Sequence, residues 1–374
     1  MHMLCWFIKA STRIYKSSEL TSYISKIFCC MIMNHGMFQN ETNSSSYPDK
    51  LINNKTAISL NISPESFAVL DYINIVLIPA CLITGVPGNI ITIILMNTNT
   101  FSHFASKYFL IALAIADISV LCTQPFKNMS VIRYLGFDLR TFSAVGCKFY
   151  FWIHKTGKMA SSWFVVCVAL ERLVAVKLPF KVKYWFSKQY TLVTIMIVTG
   201  IIGGFNVGYA YYTEIDENGI CNPDVYDKNS SHAITVYHHM LNVGVSLYFI
   251  GPLLVLFVVT PVIIISLIIT KHKQSKLFIF NGRNIVVKPT TMLISVMIAY
   301  IVFVTPLGIV RIIVNYYGFN LYSVNSTTFS IFRDISFILE LMNYSSNFFL
   351  YVCSSKPFRD GVASLCVRNC IHRI

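Results

Sequence analysis

YINIVLIPACLITGVPGNIITIILM, residues Tyr72–Met96, carries no charged side chain in twenty-five positions. The hydrocarbon core of a bilayer is about 30 Å thick, and a helix needs about 20 mostly apolar residues to cross it. This run meets that length. Outward from it, hydrophobic stretches repeat along the chain at about 72–97, 105–130, 144–176, 188–212, 235–271, 289–316 and 328–353. Uncharged cores recur at Leu192–Tyr211, Leu241–Thr270 and Thr290–Val310. The pattern predicts an all-α membrane protein with seven crossings, so that the two chain ends lie on opposite sides of the membrane.

Composition agrees. The chain has 374 residues, 55% of them hydrophobic and only 12% charged, with a mean hydropathy of +0.60; a soluble domain carries about 25% charge. Seven spans and their loops use up most of the length, which leaves no room for a large extramembrane domain. A net charge of +14 invites nucleic acid as a partner, but the bases sit largely in loops assigned below to the cytosol. Eleven cysteines show no paired C-x-x-C spacing and nine histidines no H-E-x-x-H, so neither a metal site nor a catalytic cluster is read. No internal repeat of the kind that builds transporters is found. Residues 1–66 read as a disordered extracellular tail, 67–355 as the membrane domain and 356–374 as a cytoplasmic helix with a short tail. The apolar runs at Met3–Ile8 and Ile27–Met33 are too short for a secretory signal, and Met31, Met33 or Met37 stay open as starts.

Charge sets the orientation. Lys177, Lys181, Lys183 and Lys188 follow the third span without an acid, and Lys271–Lys288 holds five bases and no acid. The positive-inside rule puts both loops in the cytosol. The loop Thr213–His232 has five acids against one base, Lys228. N-x-S/T sequons at Asn40, Asn43, Asn54, Asn61, Asn128, Asn229 and Asn325 fall on the opposite face, where glycosylation is expected; only Asn343 lies within a span. The expected location is the plasma membrane, with an extracellular N-terminus.

Polar groups inside spans are costly and face the bundle interior. Asn89 ends span one. Asp117 is the one charge in the core of span two. Span three opens near Cys147 and closes on Glu171-Arg172-Leu173, and the 25 residues from Cys147 to Arg172 make a full crossing, about 37 Å. Span six carries Pro306, and span seven carries Asn343 and Asn347-Phe348-Phe349-Leu350-Tyr351. Over about residues 70–366 the chain resembles the rhodopsin-like (class A) G-protein-coupled receptors. Asn89, Asp117, Cys147, Arg172, Pro306, Asn347 and Tyr351 each match that family's signature for one helix, in order. Glu171-Arg172-Leu173 is similar to its Asp/Glu-Arg-Tyr motif, Asn347-Phe348-x-x-Tyr351 to its Asn-Pro-x-x-Tyr motif, and Phe358-Arg359 to the start of its membrane-surface helix. The implied fold is a seven-transmembrane helix bundle with a short amphipathic eighth helix. The departures are Val304 at the rotamer-switch position, Tyr300 in place of a Phe, and a fourth span without its usual Trp. The run Thr291–Ile294 and the Asn347-Phe348 pair are similar to invertebrate FMRFamide-type neuropeptide receptors.

The resemblance implies the site residues. Cys147 and Cys221 form the disulfide across the bundle mouth. Asp117, Ser161, Asn343 and Asn347 converge at mid-membrane, braced by Asn89, either around a sodium ion on Asp117 or around a protonated Asp117. Glu171 holds Arg172 at rest. Val286 stands where a second acid would complete that lock, which predicts ligand-independent signalling. The G-protein face and switch comprise Glu171, Arg172, Pro306, Asn347 and Tyr351. The ligand region holds His154, Lys155, Lys158 and Arg311, with Glu340 as a partner across the bundle. Lys155 either lines the pocket or snorkels to the headgroups. His154 replaces the Asp of amine receptors, so an amine ligand is not expected. Trp163 is read as a packing residue, either Pro252 or Pro261 as the hinge of span five, and Cys366 and Cys370 as either palmitoylated or unmodified. The expected partners are an extracellular peptide, for which the acidic loop suits a basic Arg-Phe amide, a heterotrimeric G protein and the bilayer, with no nucleic acid. No cofactor is expected beyond that possible Na+. The rival function is a chemosensory receptor for a small molecule, followed by a transporter or channel.

Overall fold

The computed structural model describes residues 64–102, 106–127, 129–215, 221–223, 231–276, 287–317 and 327–371. Its elements run α1 (Pro64–Met96), α2 (Lys107–Thr123), α3 (Met129–Leu135), α4 (Ala144–Lys177), α5 (Pro179–Trp185), α6 (Lys188–Tyr211), β1 (Thr213–Ile215), β2 (Cys221–Pro223), α7 (Ser231–Val245), α8 (Gly251–Lys276), α9 (Val287–Tyr317), α10 (Thr327–Ser354) and α11 (Lys356–Ile371). The spans are α1, α2, α4, α6, the pair α7–α8, α9 and α10. Helix α1 starts at Pro64, just inside the segment read as tail.

Six of these spans are long and apolar enough to cross a membrane by length and composition, and α10 is not among them. The helix forms where the sequence places span seven, Thr327–Ser354 against 328–353, but it is less apolar than the others. Arg333, Asp334, Glu340, Asn343 and Asn347 dilute α10, because it turns its polar face to the bundle interior. Its place is fixed by packing instead: it lies against α1, α2 and α9, and the wall between them is built from Leu341, Tyr344, Phe348 and Tyr351. The outward faces of α6 and α8 keep apolar residues such as Ile197, Ile201, Leu254 and Phe257 exposed, as lipid-facing surfaces do.

Close approach needs small residues. A Cβ added at Gly88 would stand 2.8 Å from Cβ of Phe348, and one at Gly85 would stand 2.7 Å from Leu121 and 2.8 Å from Ser345. These two glycines let α1 sit directly on α10.

Span five is broken where Pro252 removes a backbone donor. Ser246–Ile250 form a π-helical turn between α7 and α8, so the backbone carbonyls before the proline lose their usual partners. Trp163 Nε1 donates to Leu247 O at 2.9 Å, and Tyr300 Oη donates to Tyr248 O at 3.4 Å. Neighbouring spans thus satisfy the carbonyls, as the apolar medium requires. The break lies at Pro252 rather than Pro261, and Trp163 is a hydrogen-bond donor as well as a packing residue.

At one end of the bundle β1 pairs antiparallel with β2, Ile215 opposite Cys221, and Cys221 is disulfide-bonded to Cys147 at the start of α4. At the other end α11 turns back along the bundle with Phe358 and Val362 buried. Phe358 meets Tyr351 and Phe101 edge-on, at 5.4 and 6.2 Å between ring centres. The sequons at Asn40, Asn43, Asn54, Asn61, Asn128, Asn229 and Asn325, the acids Asp216, Glu217, Asp224 and Asp227, and Val286 lie outside the described residues, as do the side chains of Cys366 and Cys370.

Candidate functional site

Helix α4 carries six buried polar side chains, His154, Lys158, Ser161, Ser162, Glu171 and Arg172, and the site forms three levels along it. The level near the disulfide holds His154, Lys155 and Lys158. Lys158 Nζ lies 2.7 Å from Glu340 Oε2 of α10; the two residues are only 7% and 2% exposed. Tyr248 donates its hydroxyl to the other Glu340 oxygen and shares a 2.5 Å hydrogen bond with the Tyr344 hydroxyl. Lys158 Nζ stands 5.4 Å from the centre of the Tyr248 ring. One carboxylate therefore ties spans three, five and seven together. Isolated in hydrocarbon, either charge would be prohibitively costly; paired and fully hydrogen-bonded, both persist.

Around that knot lie further cations. Lys155 Nζ sits 4.7 Å over the Tyr209 ring. Arg311 and Lys127 approach the same ring, Phe337, each from 5.8 Å. His154 is buried, stacks on Tyr150 and meets Thr123 Oγ1 through Nδ1 at 2.8 Å. Its Nε2 has no partner.

The middle level is centred on Asp117. Ser161 Oγ donates to Asp117 Oδ1 at 2.6 Å and Asn347 Nδ2 donates to Oδ2 at 2.7 Å. Asn89 Nδ2 donates to the Tyr344 carbonyl at 3.0 Å, three residues before Asn347, and so braces α10 rather than the carboxylate. Asn343 is buried but no hydrogen bond joins it to Asp117, and the expected convergence is corrected to Asp117, Ser161 and Asn347. Asn89 Oδ1 is a buried acceptor without a partner. Oxygen donors of this kind, one carboxylate among them, fit a hard cation.

The third level is at the far end of α4. Arg172 donates to Glu171 Oε1 at 3.0 Å and, from Nε at 3.2 Å and also from Nη2, to Ser106 Oγ at the start of α2. Arg172 is 5% exposed and Glu171 fully buried. Tyr351 is buried as well, and Pro306 sits inside α9 with Val304 packed into the core two residues before it.

A model of the family described as 7 transmembrane receptor (rhodopsin family) matches residues 88–351. The chain belongs to that family. Family members are signalling receptors rather than enzymes, and this receptor is a multi-pass membrane protein. It is 25% identical to the mouse (Mus musculus) chemerin-like receptor 2 over 320 residues, 80% of this chain and 82% of that one. It is 25% identical to the rat (Rattus norvegicus) leukotriene B4 receptor 1 over 171 residues, 45% of this chain and 47% of that one. It is 28% identical to human (Homo sapiens) neuromedin-U receptor 2 over 136 residues, 36% of this chain and 31% of that one. The chain thus spans about half the length of the leukotriene receptor and about a third of the neuromedin receptor.

Sequence reasoning missed Lys127, Ser106, Tyr248 and Tyr344. Tyr248 stands one turn before Pro252, where a broken span exposes its inner face, and Lys127 is the first charge after the core of span two; both signals were readable. Ser106 has none, because a lone serine opening a helix is unremarkable until Arg172 reaches it.

Proposed function

We propose that this receptor sits in the plasma membrane with its N-terminus and disulfide outside, binds an extracellular ligand between α4, α7, α9 and α10, and passes that binding to a heterotrimeric G protein at the Arg172 end. The observation that carries this reading is the pair of buried ionic knots on one helix, Lys158 and Arg172 standing about four turns apart along α4. Lys158–Glu340 faces the ligand region, and Glu171–Arg172–Ser106 holds the cytosolic end closed. A ligand that favours an open state and a G protein that needs one strengthen each other's binding. Pro306 lets α9 bend outward without losing the bond that a proline never made.

A peptide ligand is supported by the likeness to receptors named for chemerin and neuromedin-U. An Arg-Phe amide would bring positive charge to a cation-rich pocket, so its appeal rests on the acidic loop Thr213–His232 alone. A small acidic molecule is the second reading, favoured by Lys127, Lys155 and Arg311 and by the likeness to leukotriene B4 receptor 1. The bases at Lys177–Lys188 and Lys271–Lys288 support the cytosolic assignment of those loops. For the middle level we propose a sodium ion held by Asp117, Ser161 and Asn89; such an ion supplies the counter-charge that a buried carboxylate lacks. Agonist affinity that does not change between sodium and choline buffers removes the ion.

The test is a cell-based screen of peptides and small acids for G-protein activation, with Arg172→Ala as control. An activator whose response survives Arg172→Ala unchanged, or a ligand-gated current without G-protein activation, overturns the reading.

A further inference from the structure

Four cations, Lys127, Lys155, Lys158 and Arg311, come from three different spans and lie within electrostatic reach of one another. The acid that faces them is Glu340, and its two oxygens are occupied by Lys158 and Tyr248. Asp334 lines the same cleft as Lys127 and Phe337, but it is paired with Arg333 at 2.8 Å. Among the described residues no ion pair reaches Lys127, Lys155 or Arg311. Like charges held together among partly desolvated side chains repel strongly, and a folded receptor keeps such an arrangement where a ligand's negative charge relieves it.

His154 adds a second, independent requirement. The single Thr123 hydroxyl proton has the Ser119 carbonyl within 2.8 Å; spent there, it leaves Thr123 Oγ1 to accept from His154 Nδ1–H, the tautomer protonated at Nδ1. The orphan Nε2 is then an acceptor, 1% exposed at the residue level, that lacks a donor.

We propose that the ligand of this pocket presents a carboxylate to Lys127, Lys155 and Arg311 and a neighbouring hydroxyl or amide N–H to His154 Nε2. The inference rests on the receptor reading above and deepens it. Two sources share this chemistry. One is a peptide with a free C-terminus, whose last residue offers both its carboxylate and its own N–H. The other is a hydroxylated long-chain acid. An amidated peptide lacks the required charge.

The experiment uses the full chain in nanodiscs and in cells. The panel holds peptides made in pairs, free acid and C-terminal amide, together with hydroxylated C18–C20 fatty acids and their primary alcohols. Thermal shift reads binding, and nucleotide exchange on the G protein reads signalling. The expected active compound bears a free carboxylate, and its amide or alcohol counterpart is at least about tenfold weaker, the equivalent of about 1.4 kcal/mol. Lys155→Met and Arg311→Met each lower its potency by a similar factor while surface staining stays normal. His154→Phe weakens only ligands that carry the donor. Activity confined to peptides assigns the carboxylate to a chain terminus, and activity confined to fatty acids assigns it to a small molecule; either supports the proposal. An amide or alcohol as potent as its acid overturns it, and so does a potency unmoved by both cation variants. A panel flat in both assays does the same. Binding without any exchange above the Arg172→Ala level would fail the receptor reading and leave the carboxylate site standing.

Discussion

Helix α4 carries two buried ion pairs that are built on opposite plans. Near the disulfide, Lys158 reaches across to Glu340 on another span, a partner 182 residues away in sequence. At the other end Arg172 pairs with its own neighbour, Glu171, and Ser106 links it to a second span. The first pair joins helices, so its loss both strands a charge and unties the bundle. The second satisfies a charge locally and reaches the neighbouring helix through a hydroxyl rather than an opposite charge. A receptor needs its ligand end rigid enough to define a pocket and its inner end loose enough to open, and these two plans supply that difference.

The largest expected effect tests the outer pair. Glu340→Leu leaves Lys158 buried without a counter-charge, which costs about 3–5 kcal/mol. The purified receptor should lose most of its thermal stability and its surface expression. Lys158→Met combined with Glu340→Leu should recover most of both, because replacing a whole buried pair with apolar residues is close to neutral. A double variant as unstable as the single one would show that the pair is not coupled. Glu171→Gln should cost less, since the amide keeps an oxygen acceptor toward Arg172 and Arg172 keeps Ser106.

Ser106→Ala comes next and sharpens the contrast. It deletes the cross-helix acceptor for Arg172 Nε and Nη2, and a hydrogen bond to a charged group is worth about 1.5–3 kcal/mol. The expected readout is signalling rather than unfolding: basal G-protein activation rises by about tenfold or more, with little change in melting temperature. If basal activity stays at the wild-type level, Arg172 is not restrained by α2.

A packing change affects both ends together. Gly88→Val would force its side chain into Phe348, and overpacking of this kind costs about 1–3 kcal/mol. Because Phe348 is followed closely by Tyr351 and then by Phe358, the displacement should loosen the seat of α11 as well as the contact between α1 and α10. Hydrogen exchange of α11 amides should rise in this variant and not in Gly204→Ala, where an added Cβ meets nothing within 4 Å.

The spans were legible because hydrophobic length is a one-dimensional property. The sequence places α4 at 144–176 and the structure at Ala144–Lys177. The sequence likewise places α10 at 328–353 and the structure at Thr327–Ser354, although its polar inner face lowers its hydropathy. Of the site, Asp117, Ser161, Asn347, Lys158 and Glu340 were legible as rare polar residues in apolar runs. Asn343 was misplaced because two asparagines four residues apart lie on one helix face, and only the crossing angle of α10 decides which meets Asp117. Ser106 and Tyr344 gain meaning from partners on distant spans, and no local pattern marks them.

The smallest expected effect concerns the hinge between the two ends. Tyr300 donates to the Tyr248 carbonyl that Pro252 leaves without its helical partner, and the 3.4 Å distance marks a weak bond. Tyr300→Phe removes the donor and keeps the ring, so about 0.5–1.5 kcal/mol is lost. Tyr248 also grips Glu340, so a loosened carbonyl lets its hydroxyl drift from the carboxylate. The variant should therefore lower the melting temperature slightly and weaken the Lys158–Glu340 coupling measured in a double-mutant cycle by a few tenths of a kcal/mol. Coupling identical in Tyr300→Phe and wild-type backgrounds would mean that the π-helical turn is held by Trp163 on Leu247 alone, and that the outer knot does not feel α9 through this contact.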